Sequence, residues 1–137
     1  MPHELKESSG AIDLSVSAPD RPELFRAALE GVLEAVYGPT PHDGTSEGRI
    51  VPIQAAGDGD GALLAGLVDD ALRAVREERG TLGSPRWLAF DDKRVTATLP
   101  VLARETAGRA LELSSASVEP GNAGWTARVE LRTQTEG

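Results

Sequence analysis

The sequence predicts an α+β domain: a two-layer sandwich with two helices on one face of a mostly antiparallel sheet. Three observations predict it. Apolar residues recur at helical spacing over two segments, 24–36 and 63–75. Four further segments alternate apolar and polar residues with the period of two that a half-buried strand requires. The order of these segments, β-α-β-α-β-β-β-β, places the helices early and the strands late, which favours separate layers.

The first strand carries Ile12, Leu14 and Val16 inward, with Ala11, Asp13, Ser15 and Ser17 between them, and Ala18-Pro19 ends it. Asp20-Arg21-Pro22-Glu23 reads as a capping box with proline tolerated in the first turn. The helix it opens runs over 21–37 and buries Leu24, Phe25, Ala28, Leu29, Val32, Leu33 and Val36. Gly38, Pro39 and Pro41 stop it. Residues 39–48 read as a loop. A strand over 49–56 follows, with Val51, Ile53 and Ala55 on one face, and Pro52 implies that it either lies at a sheet edge or begins late. Gly57-Asp58-Gly59-Asp60-Gly61 is a turn whose last Asp caps a second helix, over 60–79, ending at Gly80. Beyond Gly83-Ser84-Pro85, Trp87, Leu88 and Phe90 lead through a polar turn into Val95, Ala97, Leu99 and Val101. A strand over 109–118 with Leu111 and Leu113 inward precedes the turn Glu119-Pro120-Gly121-Asn122-Ala123-Gly124. The last strand sets Trp125, Ala127, Val129 and Leu131 against Thr126, Arg128, Glu130 and Arg132. A single domain is expected over 10–133, with 1–9 and 134–137 as flexible tails.

Composition narrows the chemistry. The 137 residues make one domain, large enough to fold without a metal or disulfide staple. With no cysteine there is no disulfide, thiolate zinc site, iron–sulfur cluster or cysteine nucleophile. With two histidines there is no multi-histidine centre. A net charge of −8 repels phosphate, so tight direct binding to nucleic acid is not expected and a protein partner is. No apolar run approaches the ~20 residues that span a bilayer, and the N-terminus lacks a basic, then apolar leader, so a cytoplasmic location away from membranes is expected. Two lysines (Lys6, Lys93) beside many arginines, with abundant Ala and Gly, point to a GC-rich bacterial source.

No residue set reads as catalytic, and a non-catalytic accessory or binding protein is expected rather than an enzyme. The turn at 57–61 lacks the lysine and hydroxyl of a phosphate loop, and as an EF-hand it fails at Ala62 and Leu63. Asp69-Asp70 and Glu77-Glu78 lie off the apolar stripe, near Arg73 and Arg76, as a solvated ion-paired face. Ser114-Ser115 has no histidine in a fixed element to activate it, His3 and His42 lying in the tail and loop. Trp87 and Trp125 read as core. One constellation remains: Asp13, Glu112, Ser114, Arg128, Glu130 and Arg132 share the non-core parity of three strands, a polar sheet face opposite the helices.

Laid out in this order, the chain resembles the archease family over about residues 10–132. Ile12-Asp13-Leu14-Ser15-Val16-Ser17-Ala18 leads into Glu23-Leu24-Phe25-Arg26-Ala27-Ala28 without a gap. Leu63-Leu64, Leu67-Val68-Asp69-Asp70-Ala71-Leu72, Gly108-Arg109-Ala110-Leu111 and Trp125-Thr126-Ala127-Arg128-Val129 continue the likeness. The resemblance implies an archease-like fold and a role in tRNA splicing or RNA repair, assisting a tRNA-splicing RNA ligase by promoting its guanylylation and turnover. It also implies a bound divalent cation such as Ca²⁺ or Mg²⁺. The family's His-Thr-Ala-Asp signature is here Ser8-Ser9-Gly10-Ala11, so the metal-binding Asp becomes Ala11. Its Thr-Tyr-His becomes Glu112-Leu113-Ser114, and its C-terminal Asp-Val-Pro-Gly becomes Arg132-Thr133-Gln134-Thr135. The family's basic position survives as Arg109. Both carboxylates are gone and one is replaced by a cation, so no metal or other cofactor is expected; Asp13, paired with Arg132 if their strands adjoin, is the only candidate ligand. The alternative reading is a divergent archease-fold interaction module with no part in RNA ligation.

Overall fold

The computed structural model describes residues 3–8, 10–37, 46–77, 81–83, 85, 87–91, 93–102, 111–121 and 124–133. In chain order the elements are β1 (His3–Ser8), β2 (Ala11–Ala18), α1 (Arg21–Tyr37), β3 (Ser46–Ala56), α2 (Asp60–Glu77), β4 (Thr81–Leu82), β5 (Trp87–Asp91), β6 (Arg94–Leu102), β7 (Leu111–Gly121) and β8 (Gly124–Thr133).

The expected α+β architecture holds: two helices pack against antiparallel strands. The strands divide into two sheets. The first has the order β1-β2-β8-β7. The second has β3-β6-β4, with β5 also pairing β6. Period-two alternation states which face a strand buries and not which strand it pairs with, so this division has no signature in the sequence. Pro52 lies in β3, an edge strand, as expected, because the edge leaves its missing N–H without a ladder partner.

The reading of residues 1–9 as a tail is corrected for 3–8, while 1, 2 and 9 lie outside the described residues. His3–Ser8 is β1, paired with β2 from His3↔Val16 to Ser8↔Ala11. Leu5 is the one apolar residue of this strand, so main-chain pairing and not an apolar stripe holds it. Gly10, at φ +80°, lies where β1 reverses into β2, and its carbonyl accepts a bond from Thr133 N at 2.9 Å. The segment expected to loop at 39–48 enters β3 at Ser46, and its earlier part lies outside the described residues, as do 134–137 and Gly80. β7 continues to Gly121, so the turn expected over 119–124 tightens to a hairpin closed by Gly121↔Gly124.

Helix α1 begins where its cap predicts. Glu23 N donates to Asp20 Oδ1 at 2.9 Å, and Leu24 N donates to Asp20 O at 3.0 Å. It is buried around most of its circumference and packs on β2, β1, β8 and β5. Gly31 lets it approach β2 closely: a Cβ there would sit 2.6 Å from Leu14 Cδ1. Helix α2 lies along β7 of the first sheet and β3 of the second, so it joins two sheet edges. One core runs through the domain, from Leu14, Phe25, Leu29 and Leu33 to Ile53, Leu64, Leu67 and Leu99. Tyr37 closes its far end, with its hydroxyl accepting a bond from Leu82 N at 3.3 Å. Among the described residues no helix is long and apolar enough to cross a membrane.

Candidate functional site, the open face of the first sheet

Strands β2, β8 and β7 adjoin, so the polar constellation read from parity is assembled on one face. β8 alternates buried Ala127, Val129 and Leu131 with exposed Arg128, Glu130 and Arg132. Register then orders the face in rows. Ala11 faces Arg132, which faces Glu112. Lys6 faces Asp13, which faces Glu130, which faces Ser115. Ser15 faces Arg128, which faces Ser117.

Ser114 is not in these rows. The register of β7 against β8 shifts between Leu113 and Ser115, so one residue is left over and the parity of everything beyond it reverses. The face therefore presents Ser115 and Ser117 where simple alternation presents Ser114. Ala116 and Val118 turn partly toward the core in their place. The signal that could have located the shift was the conflict in Leu113-Ser114-Ser115-Ala116-Ser117-Val118, where one alternation cannot bury Leu113, Ala116 and Val118 together.

The side chains complete the picture. Ser115 Oγ donates to Glu130 Oε2 at 3.2 Å. Arg132 Nε lies 3.3 Å from Glu112 Oε1. The expected pairing of Asp13 with Arg132 is overturned: they stand in adjacent rows, and Arg132 takes Glu112 directly across the β7–β8 pair. A small concavity of about 190 Å³ is lined by Asp13, Ser115, Ser117, Arg128 and Glu130. Arg109, the basic family position, lies outside the described residues, as does His42.

Among the described residues, the row of Ala11 does not offer a hard divalent cation a ligand set. At the row of Ala11 the neighbouring position holds a guanidinium, already engaged with the one carboxylate in that row. Oxygen-seeking cations need several converging carboxylates or carbonyls. Among the described residues no three His, Asp or Glu gather in a ligating cluster.

The other sequence candidates resolve into structural roles. Asp70 accepts from Arg73 Nε at 2.7 Å and from the β3 backbone at Gln54 N, 2.9 Å. Arg73 also bonds Glu77 one turn on. Asp70 thus caps an N–H on the exposed edge of β3, a role that helix spacing alone does not reveal. Asp60 opens α2 and meets Arg21 Nη1 at 3.3 Å. The Arg21 guanidinium sits 4.9 Å from the Phe90 ring centre and 5.4 Å from that of Trp125. Trp125 is half-buried against the core and carries this cation; Trp87 belongs to β5.

The architecture defines a class, an α+β domain of two antiparallel sheets and two helices. The solved structure of protein 1598 from Methanobacterium thermoautotrophicum belongs to the same class: the chains superpose with a TM-score of 0.68 over 96% of this chain and 98% of that one. Sequence identity is 16%, so the likeness is one of fold. No family model matches the chain. Exportin-T of Eremothecium gossypii is 37% identical over 93 residues, which is 57% of this chain, and the chain spans 9% of that protein's length.

Proposed function

We propose that this chain is an archease-like, non-catalytic accessory protein that assists a tRNA-splicing-type RNA ligase in tRNA splicing or RNA repair and works without the family's cation. The observation that carries the reading is one row of the open sheet face. Ala11, Arg132 and Glu112 are far apart in sequence, and the resemblance matches them to three separate family motifs. The fold sets them side by side across β2, β8 and β7. Where the family would place a metal between two carboxylates, this chain places a fixed guanidinium against Glu112. An ion pair of this kind orients the row without a bound ion, at a net gain of about 0–1 kcal/mol for exposed groups.

The partner in this reading is the ligase itself. A chain of net charge −8 has no basic stripe to hold RNA, so the acidic surface docks on protein. The test measures guanylylation rate and turnovers per ligase with and without the chain, using the ligase of the same genome. Stimulation that Arg132→Ala and Glu112→Ala reduce, with circular dichroism unchanged, supports the proposal. A folded chain that leaves both rates unchanged rejects it. Fluorescence anisotropy with a tRNA fragment stays flat at physiological salt, whereas a salt-sensitive micromolar complex would assign the binding to RNA.

A further inference from the structure

We infer that β1 is the surface through which two copies of this chain pair, antiparallel and centred on Leu5. The first sheet has two outer strands, β1 and β7. β7 lies beside α2, close enough that a Cβ on Gly61 would be 3.8 Å from the Ala116 carbonyl oxygen. β1 pairs with β2 on one side and, among the described residues, terminates the sheet on the other. A terminal strand presents a row of main-chain donors and acceptors, and a second strand is the natural complement to that row.

The sequence of β1, His3-Glu4-Leu5-Lys6-Glu7-Ser8, selects the partner. Two identical antiparallel strands related by a two-fold axis keep the same face of the sheet outward, so directly opposed residues have the same parity. The axis must therefore pass through a residue. Centred on Glu4 it sets that carboxylate against its own copy. Centred on Lys6 it sets two ammonium groups against each other and Leu5 against Glu7. Centred on Leu5 it opposes Glu4 to Lys6 of the second copy twice, His3 to Glu7 twice, and Leu5 to Leu5. Of these three registers, only the last opposes unlike charges and joins the apolar positions.

The faces of the sheet agree with this register. Glu4 and Lys6 are opposite Ser15 and Asp13, so they hold register positions on the polar open face. A Glu4–Lys6 contact between copies continues the charged rows of one sheet into the next. Leu5 is opposite Leu14 on the helix side, where it is half-buried against the core. Its copy would cover the part that remains exposed. The pairing doubles a four-stranded sheet without rearranging either domain.

Charge exchange tests the register. The full chain, examined by sedimentation equilibrium, is expected to dimerise. Glu4→Lys and Lys6→Glu each place like charges in opposition twice per dimer, and each should weaken association about tenfold or more. An equimolar mixture of the two variants restores both unlike pairs and recovers a dimer as the heterodimer. An independent readout uses the absence of cysteine in the chain. Leu5→Cys places a thiol beside its own copy at the axis and oxidises in air to a linked dimer, while Ser15→Cys, exposed one strand inward, remains monomeric under the same conditions. A chain monomeric to about 1 mM overturns the inference. So does a dimer that neither charge reversal weakens, or one that the mixture fails to restore. If either charge variant fails to fold, equal cross-linking of Leu5→Cys and Ser15→Cys overturns it.

Discussion

Two glycines of α2 should respond to the same substitution with opposite sign. At Gly66 an added Cβ would lie 2.9 Å from Ala55 Cβ and 3.8 Å from Ala55 Cα. Carbon atoms rest at about 3.5–4.0 Å, so Gly66→Ala forces helix and strand apart by roughly half an ångström or more. Ala55 has no rotamer to yield, and the β3 backbone that carries it is laddered to β6 at Ala55↔Val95. Overpacking of this kind costs about 1–3 kcal/mol. Alanine recovers about 1 kcal/mol in a helix interior, leaving a net loss of about 1 kcal/mol. At Gly61 the nearest atoms to an added Cβ are Ala116 O at 3.8 Å and Ser117 Cα at 4.0 Å, an ordinary contact. Gly61→Ala therefore stabilises by about 0.4–1 kcal/mol through the unfolded chain. Urea unfolding followed by tryptophan fluorescence measures both, with unchanged m-values as the control for two-state behaviour. Adding Ala55→Gly to Gly66→Ala removes the collision and should show favourable coupling in a double-mutant cycle. If Gly66→Ala proved as stable as Gly61→Ala, the close approach of α2 to β3 would not be what fixes this glycine.

Three further outcomes follow from the geometry. Burial pushes the Tyr37 hydroxyl above its ordinary value of 10.0, with the bond from Leu82 N opposing the shift. The unfolded chain then ionises first, and stability falls as pH climbs past that value. Tyr37 is the only tyrosine, so tyrosinate absorbance should appear together with unfolding, and Tyr37→Phe should abolish the alkaline slope. Arg21→Ala removes two ring contacts and the Asp60 pair and should cost about 1–2 kcal/mol by thermal or urea unfolding; a loss within a few tenths would mean that the stacked guanidinium is energetically idle. Millimolar Ca²⁺ or Mg²⁺ should leave the melting temperature unchanged, since a native-state ligand at a hundred times its dissociation constant adds about 2.7 kcal/mol. A rise that Asp13→Ala abolishes would put a cation on the open face after all.

Local chemistry made much of the fold legible. Asp20 and the apolar stripe beyond it bounded α1 at 21–37, and alternation identified the inward residues of β2, β6 and β8. What sequence could not show was pairing. β1 carries too little apolar surface to read as a strand, and nothing in a period of two separates one sheet from two. The polar face was legible as a set of side chains, but its rows were not. The shift at Ser114 exchanged Ser114 for Ser115 and Ser117, and the partner of Arg132 proved to be Glu112 rather than Asp13. Asp70 read as a solvated acid, yet it holds the backbone N–H of Gln54, 16 residues earlier in the chain.

The placement of α2 along β3 and β7 ties two hazards to a single event. Pro52 offers no N–H, and Asp70 occupies the N–H of Gln54, so β3 is guarded by its own proline and by one carboxylate of the helix. β7 is shielded by the same helix. If α2 detaches in a local opening, Ile50-Val51-Pro52-Ile53 and the length of β7 become templates for strand addition at the same moment. Aggregation of this chain should therefore follow the opening equilibrium of one helix, and substitutions that anchor α2 should slow it even where they leave the global melting temperature unmoved.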